Sequence, residues 1–468
     1  MFRKLILSAL FFLAVNISAE IKNVPSQYST IQAAVDAAVN GDTVLVAPGT
    51  YLENVVIRGK NIVLTGTYYI TGDRSLIAST IIDGSSPINA DTASCVLIRG
   101  GVDSTGVLQG FTLTKGKGTA WNDEHSAGVY REGGGLLVAL SSPIIQDNII
   151  KENIVNNLSG IVSTGGGGVR IGDGFVRFYN NVVMNNYARY GAGIVLNYTG
   201  GEFKNNIVCA NYGSLQYGGG SGFWLNGGYN RPIVIENNSI ADNSSNNSGT
   251  SGGIFGYGNV AATIRNNVIW RNTSPGMNQI IGNSLIVRYC NVQGGFSGAG
   301  NINSDPLFAD SNYILQPGSP CVDKGDSSVI YNDLPDQGNP SIAKYPSRGG
   351  LRNDMGAYGG PLAKILTNQL IGIQQISSNV PSGYVLSQNY PNPFNPATKI
   401  MFALKQTGFV TLKIYDITGR LVKVLAEEVL NAGEYESVFN AGELSSGIYF
   451  YTLRTDNFVQ TKKMILTK

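Results

Sequence analysis

Residues 178–186 read FYNNVVMNN, and residues 203–211 read FKNNIVCAN. The same pattern, apolar-x-Asn/Asp-Asn-x-apolar-x-x-Asn, returns as IQDNIIKEN from Ile145, IENNSIADN from Ile235 and IRNNVIWRN from Ile264. Two asparagine columns follow: Asn148, Asn181, Asn206, Asn238 and Asn267, and, five positions on, Asn153, Asn186, Asn211, Asn243 and Asn272. The steps along the first column are 33, 25, 32 and 29 residues. Regular columns at irregular steps mean that the pairing elements are constant while the connecting turns vary, which describes a solenoid of strands.

Each repeat opens on small residues and an apolar-x-apolar triplet: GGGLLV from Gly133, GGGVRI from Gly166, GAGIVL from Gly191, GSGFWL from Gly220 and SGGIFG from Ser251. Leu136 and Val138, Val169 and Ile171, Ile194 and Leu196, and Phe223 and Leu225 alternate with period two, as inward strand residues do. A corner between strands calls for a residue that tolerates the left-handed region, and asparagine does so. Its amide can also bond the asparagine of the next coil, roughly 4.8 Å away at strand spacing. The five asparagines of the first column are therefore read as a structural ladder, and the glycines as corners.

This pattern resembles the right-handed parallel β-helix of the pectin-lyase-like superfamily, over most of residues 20–362. Fainter coils precede the clear ones at Asn61 to Gly66 and at Leu108 to Leu113, where Phe111 takes the ladder position; another follows at Val287 to Val292, with Cys290 in the column. A solenoid must cover its open end. Ser29 and Gln32 read as a capping box for a cap helix over about Thr30 to Val39, with Ile31, Ala34, Val35 and Ala38 on its apolar face. At the other end, DPLF from Asp305, LQPGSPCVDKG from Leu315 and DMGAYGG from Asp354 resemble the closing section of exported β-helices.

After Pro361 the composition changes. Residues 363–381 read as a linker, and residues 382–468 as a small immunoglobulin-like β-sandwich of six or seven strands, including TKIMFAL from Thr398, VTLKIYD from Val410 and GIYFYTL from Gly447. LSQNYPNPFNPATKI from Leu386, IYDITGRLVKVL from Ile414 and LSSGIYFYTL from Leu444 resemble the type A C-terminal sorting domain of the type IX secretion system. The resemblance implies an interaction with that machinery and a secreted or outer-surface location. Arg3 and Lys4, an apolar run from Leu5 to Val15 and the small residues near Ala19 agree, reading as a signal peptide over residues 1–19. No other segment is long and apolar enough to span a membrane.

The formal net charge of +2 in 468 residues leaves no electrostatic footprint for nucleic acid. Four cysteines, Cys95, Cys209, Cys290 and Cys321, are too sparse for a disulfide scaffold, and their spacing assigns no pairing. A single histidine, His125, argues against a structural zinc site.

The chemistry expected of enzymes with this fold is mostly missing. His125 lies in NDEHSAG without the flanking glycines of pectin hydrolases, and Arg231-Pro232 lacks the second arginine of the pectate-lyase segment. A lyase still needs a base and a cation, often Ca²⁺ held by carboxylates. The outward column two residues before the ladder holds Tyr179, Lys204, Glu236, Arg265 and Arg288, with Glu202, Asp242 and Arg271 near in sequence. Lys204, Glu236 and Arg265 are the catalytic candidates, weighed against solvated ion pairs on a solenoid face. Sugar rings also pack on aromatic faces. Trp224, Phe255 and Trp270, at outward repeat positions, together with Tyr179 and Arg288, are the substrate-binding candidates; Tyr187, Tyr190, Tyr212, Tyr217, Tyr229 and Tyr257 fall in turns. Trp121 to His125 forms an insertion before the first strong coil, where functional loops concentrate. Two readings stand: a secreted or cell-surface β-helix that binds glycans or adheres without catalysis, and a Ca²⁺-assisted lyase or glycoside hydrolase acting on uronic-acid polysaccharides.

Overall fold

The computed structural model describes residues 19–123, 125–156, 160–213, 219–227, 231–247, 249–309, 312–366, 374–377, 380–395, 397–430, 432–441 and 444–467. Residues 1–18 of the expected signal peptide 1–19, and Glu124, Tyr217 and Tyr229, lie outside them. The chain divides into two compact units, residues 1–309 with 313–367, and residues 310–312 with 368–468.

The first unit is a parallel β-helix. Three long parallel sheets run its length, with ten, nine and eight strands among the described residues. One coil contributes Phe175–Tyr179 to the first sheet, Val182–Met184 to the second and Ile194–Asn197 to the third. The next adds Gly200–Lys204, Ile207–Cys209 and Phe223–Asn226 in register above them. The alternation read from the sequence holds: Ile145, Phe178, Phe203, Ile235, Ile264 and Val287 stack inward on the first sheet. Leu136, Val138, Val169, Ile171, Ile194, Leu196, Phe223 and Leu225 do so on the third.

The asparagine columns are hydrogen-bonded ladders. The Asn206 Oδ1 accepts from the backbone N–H and the Nδ2 of Asn181, while its own Nδ2 donates to the Phe178 carbonyl and to Asn238 Oδ1. The pattern repeats to Asn267, whose N–H meets Cys290 Sγ at 3.4 Å, and begins where Phe111 N–H donates to Asn148 Oδ1. The ladder residues are not themselves the left-handed ones. Positive φ falls one position earlier, at Asp147, Asn180, Asn205, Asn237 and Asn266. In the second column it falls at Glu152, Asn185, Ala210, Asp242 and Arg271. That column accepts residues with little left-handed preference, so the ladder bonds impose the corner and do not merely follow from it.

The cap helix spans Ile31–Ala37 and buries Ile31, Ala34 and Val35. Its N-cap is Thr30, whose Oγ1 accepts from Ala33 N–H; Ser29 does not cap it. Gln32 turns away from a capping role and clamps the Val56 backbone, accepting from its N–H and donating to its carbonyl.

Two excursions leave the coil and shape its outside. A hairpin, Gly118–Asn122 with Val129–Glu132, rises between the second and third sheets. Residues 313–366 turn back along the coils already laid down. Asp326 N–H donates to Asn266 Oδ1, Asn237 Nδ2 donates to the Asp354 carbonyl, Asn205 Nδ2 donates to the Ala357 and Gly359 carbonyls, and Lys364 Nζ reaches Asp147 at 3.2 Å. This return strap climbs from coil to coil on the side chains of the left-handed column. Beneath it lies a small core of Val268, Leu315, Cys321 and Met355. All four cysteines are buried and free.

The second unit holds two four-stranded antiparallel sheets, fitting an immunoglobulin-like sandwich. One contains Val385–Leu386, Ala397–Leu404, Gly433–Asn440 and Gln374–Ser377; the other contains Gly408–Asp416, Leu421–Leu430, Gly447–Thr455 and Phe458–Leu466. The strands number eight among the described residues, not six or seven, because Gln374–Ser377, read as linker, pairs with Gly433–Asn440. In the segment LSQNYPNPFNPATKI, buried Asn389 donates through Nδ2 to Thr398 Oγ1 and through its backbone N–H to the Tyr451 hydroxyl, and Phe394 enters the core.

Candidate functional site

A cleft of about 600 Å³ opens over the outer face of the third sheet. Strand register stacks Val195, Trp224 and Phe255 in one outward column and Asn197, Asn226 and Tyr257 in the next. Trp224 lies 4.8 Å from Phe255 and 5.6 Å from Tyr257, nearly parallel to the latter at 21°. Tyr190 adds a fourth ring 5.1 Å from Trp224. Its hydroxyl donates to Glu132 Oε1 at 2.6 Å, and Glu132 Oε2 accepts from the fully buried Arg170 at 3.0 Å. Burial and then the Glu132 charge push the Tyr190 phenol well above its ordinary range, so it stays protonated and fixed.

The hairpin supplies the polar rim. Asp123 Oδ2 accepts from Asn197 Nδ2 at 3.0 Å, and Asn197 Oδ1 accepts from Asn226 Nδ2 at 2.6 Å. His125 Nε2 lies 2.9 Å from Asp173 Oδ2, and its ring lies 3.9 Å from that of Tyr198. Asp123 and His125 thus join the aromatic residues. The sequence marks them only as part of an insertion, since nothing in a linear pattern shows that a hairpin folds over a neighbouring coil. Trp121 packs on Leu97 and Leu137, earlier members of the outward column that leads to Trp224.

Trp270 is not part of this face. Its strand, Val268–Trp270, belongs to the second sheet, and its ring packs on the core beneath the strap. Tyr187 and Tyr212, read as turn residues, pair as short parallel strands with rings 5.0 Å apart. Tyr257 likewise ends a strand, Ile254–Tyr257.

A second concavity, of about 440 Å³, lies on the first sheet. Tyr179, Lys204, Glu236, Arg265 and Arg288 occupy one register column of adjacent strands. Lys204, Glu236 and Arg265 line the groove, with Glu202 beside them and the strap's Tyr331 and Leu362 opposite. Lys204 Nζ lies 3.4 Å from Glu202 and 3.8 Å from Glu236. Tyr179 points at Glu202, to which its hydroxyl donates. Burial works against the Glu202 charge, but the Tyr179 hydrogen bond and the Lys204 and Arg177 charges outweigh it and hold the carboxyl below its usual range. Burial pushes Glu236 up, only partly countered by Lys204 and Arg265. Arg265 stacks on Tyr331 at 4.6 Å and lies 3.7 Å from Asp326. Arg288 continues the column as an exposed residue outside the groove lining. Asp242 and Arg271 form their own bidentate pair elsewhere, joined by the Tyr313 hydroxyl.

The carboxylates do not fit a calcium site. Among the described residues no three His, Cys, Asp or Glu side chains gather to hold a metal ion, and each groove carboxylate faces a cation.

Residues 388–467 match the secretion system C-terminal sorting domain. The chain is a type IX-sorted secreted protein. The sorting domain implies contact with that secretion machinery and delivery to the cell surface or beyond. Its match covers LSQNYPNPFNPATKI from Gln388 onward, including Asn389 and Phe394, whose roles are internal to the sandwich. No curated protein and no solved structure matches the chain. Among the described residues no helix is long and apolar enough to cross a membrane.

Proposed function

We propose that the exported β-helix is a glycan-binding protein of the cell surface or its surroundings, and that its binding face is the aromatic cleft on the third sheet. The carrying observation is the stack of Trp224, Phe255 and Tyr257, partly open to solvent and bordered by Asp123, Asn197 and Asn226. Aromatic faces take the apolar C–H face of a pyranose, and carboxylate and amide groups at the rim take its hydroxyls. The acidic and basic groups of the cleft are engaged with one another or with the scaffold: Asp123 accepts from Asn197, His125 faces Asp173, and Glu132 accepts from Tyr190 and Arg170. Binding without turnover is therefore the reading favoured for this face.

Affinity electrophoresis and tryptophan-fluorescence titration of the full chain against soluble polysaccharides test it. Trp224→Ala should weaken binding by about ten- to a hundred-fold, the loss of one well-buried aromatic contact. Unchanged affinity in that variant would place binding elsewhere.

A further inference from the structure

The groove on the first sheet is built differently from a row of solvated ion pairs. Glu236 is 8% exposed, and among the described residues no donor reaches its carboxyl at hydrogen-bond distance; the nearest cation, Lys204 Nζ, stands 3.8 Å away. The Arg265 guanidinium lines the same groove, held in place by the Tyr331 ring and by Asp326, which lies 3.7 Å from its Nε. Buried polar groups are normally satisfied, and a carboxyl left without a donor on the wall of a cavity marks a place for a ligand's polar atoms.

Charge narrows the ligand. Lys204 and Arg265 stand against Glu202 and Glu236 on the groove lining, with Arg177 beside Glu202 and Asp326 beside Arg265, so the charges balance. An anionic sugar would meet Glu236 between the two cations, because Lys204, Glu236 and Arg265 sit on successive strands. A cationic ligand would meet Lys204 and Arg265. A hydroxyl suits both, since it donates to the carboxylate and accepts from the ammonium or guanidinium. Val234 and Leu362 give the groove apolar surface, and a volume of about 440 Å³ falls within the range of small-ligand sites.

We propose that this groove is a second saccharide site, taking a neutral sugar unit whose adjacent hydroxyls donate to Glu236 and accept from Lys204 and Arg265. It lies on a different sheet from the aromatic cleft and shares none of that cleft's lining residues. With both sites filled, one rigid solenoid holds two glycan segments, and the secreted protein cross-links them.

The test is calorimetry on the full chain with neutral oligosaccharides of glucose, xylose, mannose and galactose, and with oligogalacturonate as the anionic comparison. Trp224→Ala weakens the aromatic cleft about ten- to a hundred-fold, and the titrations are kept at concentrations where that residual binding is silent. In that background a neutral oligosaccharide should still bind, Glu236→Ala should weaken it by at least ten-fold, and Thr263→Trp, which fills the groove from an outward strand position, should abolish it. An unchanged unfolding midpoint shows that the variants are folded. Loss of all binding in Trp224→Ala leaves the cleft as the binding face and overturns the second site. Binding that survives Thr263→Trp, or a preference for oligogalacturonate in the Trp224→Ala background, also overturns it. A wild-type response abolished by Thr263→Trp yet indifferent to Trp224→Ala supports the groove and removes the cleft, while a wild-type chain that binds none of these sugars removes both.

Discussion

Replacing Asn206 by alanine removes one rung from the middle of the first ladder, and the cost follows from its bonds. Asn206 is fully buried. Without its amide, the Asn181 backbone N–H and Nδ2 lose an acceptor, and the Phe178 carbonyl loses a donor. Asn238 Oδ1 keeps one bond, from the Asn206 backbone N–H. Three buried groups are thus left short, at about 1–3 kcal/mol each when no relaxation occurs. With partial relaxation the expected loss is about 3–6 kcal/mol, a large share of the ~5–15 kcal/mol that holds a domain together. All three tryptophans, Trp121, Trp224 and Trp270, lie in the solenoid, so their fluorescence in a urea titration follows this unit without contribution from the sorting domain. The exposed Asn259 is the control, with its alanine variant expected within about 0.5 kcal/mol of the parent. A loss below about 1 kcal/mol for Asn206→Ala would refute the claim that the ladder secures the coils.

The strap and its acidic anchor give two further expectations. Asn237→Gly keeps the left-handed corner but removes the side-chain bonds to Asn353 and to the Asp354 and Gly356 carbonyls; limited proteolysis should then cut within residues 326–366 several-fold faster while the tryptophan transition of the coils shifts little. Burial, followed by repulsion from Asp354, pushes Asp333 well above the carboxylate range, and burial does the same to Asp354. Since these groups hold protons in the folded chain that the unfolded chain releases above about pH 4, their contribution to stability is full below that pH and is lost as pH rises toward the raised folded values. Asp354→Asn should make the fall in stability above pH 4 shallower, by up to about 1.4 kcal/mol per pH unit, measured as the urea midpoint against pH; an unaltered slope would mean that Asp354 is already ionised in the fold.

The β-helix was legible because its interior is periodic. Phe178 and Phe203, or Asn181 and Asn206, recur in sequence for the same reason that they touch in space: each coil repeats the surface on which the last one ended. The 118–132 hairpin falls in the interval from Phe111 to Asn148, ahead of the steps between the clear repeats. What could not be read is where the excursions go. Asn205, Asn237 and Asn266 look like ordinary turn residues, and their second use, holding the strap, depends on residues 60 to 154 positions away. For the same reason Lys204, Glu236 and Arg265 could be placed in one column but not in one groove, because the opposing wall of Tyr331 and Leu362 is distant in sequence. Trp270 was misplaced because an outward position in a repeat does not reveal which sheet, or which covering segment, it will meet.

These failures share a cause that bears on function. A bare sheet of a β-helix is nearly flat, so its outward side chains form ladders but enclose nothing. Inward columns and asparagine ladders secure each coil, leaving the outward positions free of that duty; the first sheet accordingly carries tyrosine, lysine, glutamate and arginine in a single register column. Such a face becomes a site only where a non-repeating segment supplies a second wall. The hairpin does this beside Trp224 and Tyr257, bringing Asp123 and His125, and the strap does it opposite Lys204, Glu236 and Arg265, bringing Tyr331 and Leu362. The parts of the chain that break the repeat are therefore the parts that enclose the two concavities, and the proposal of two separate binding faces rests on these two independent breaks on two sheets.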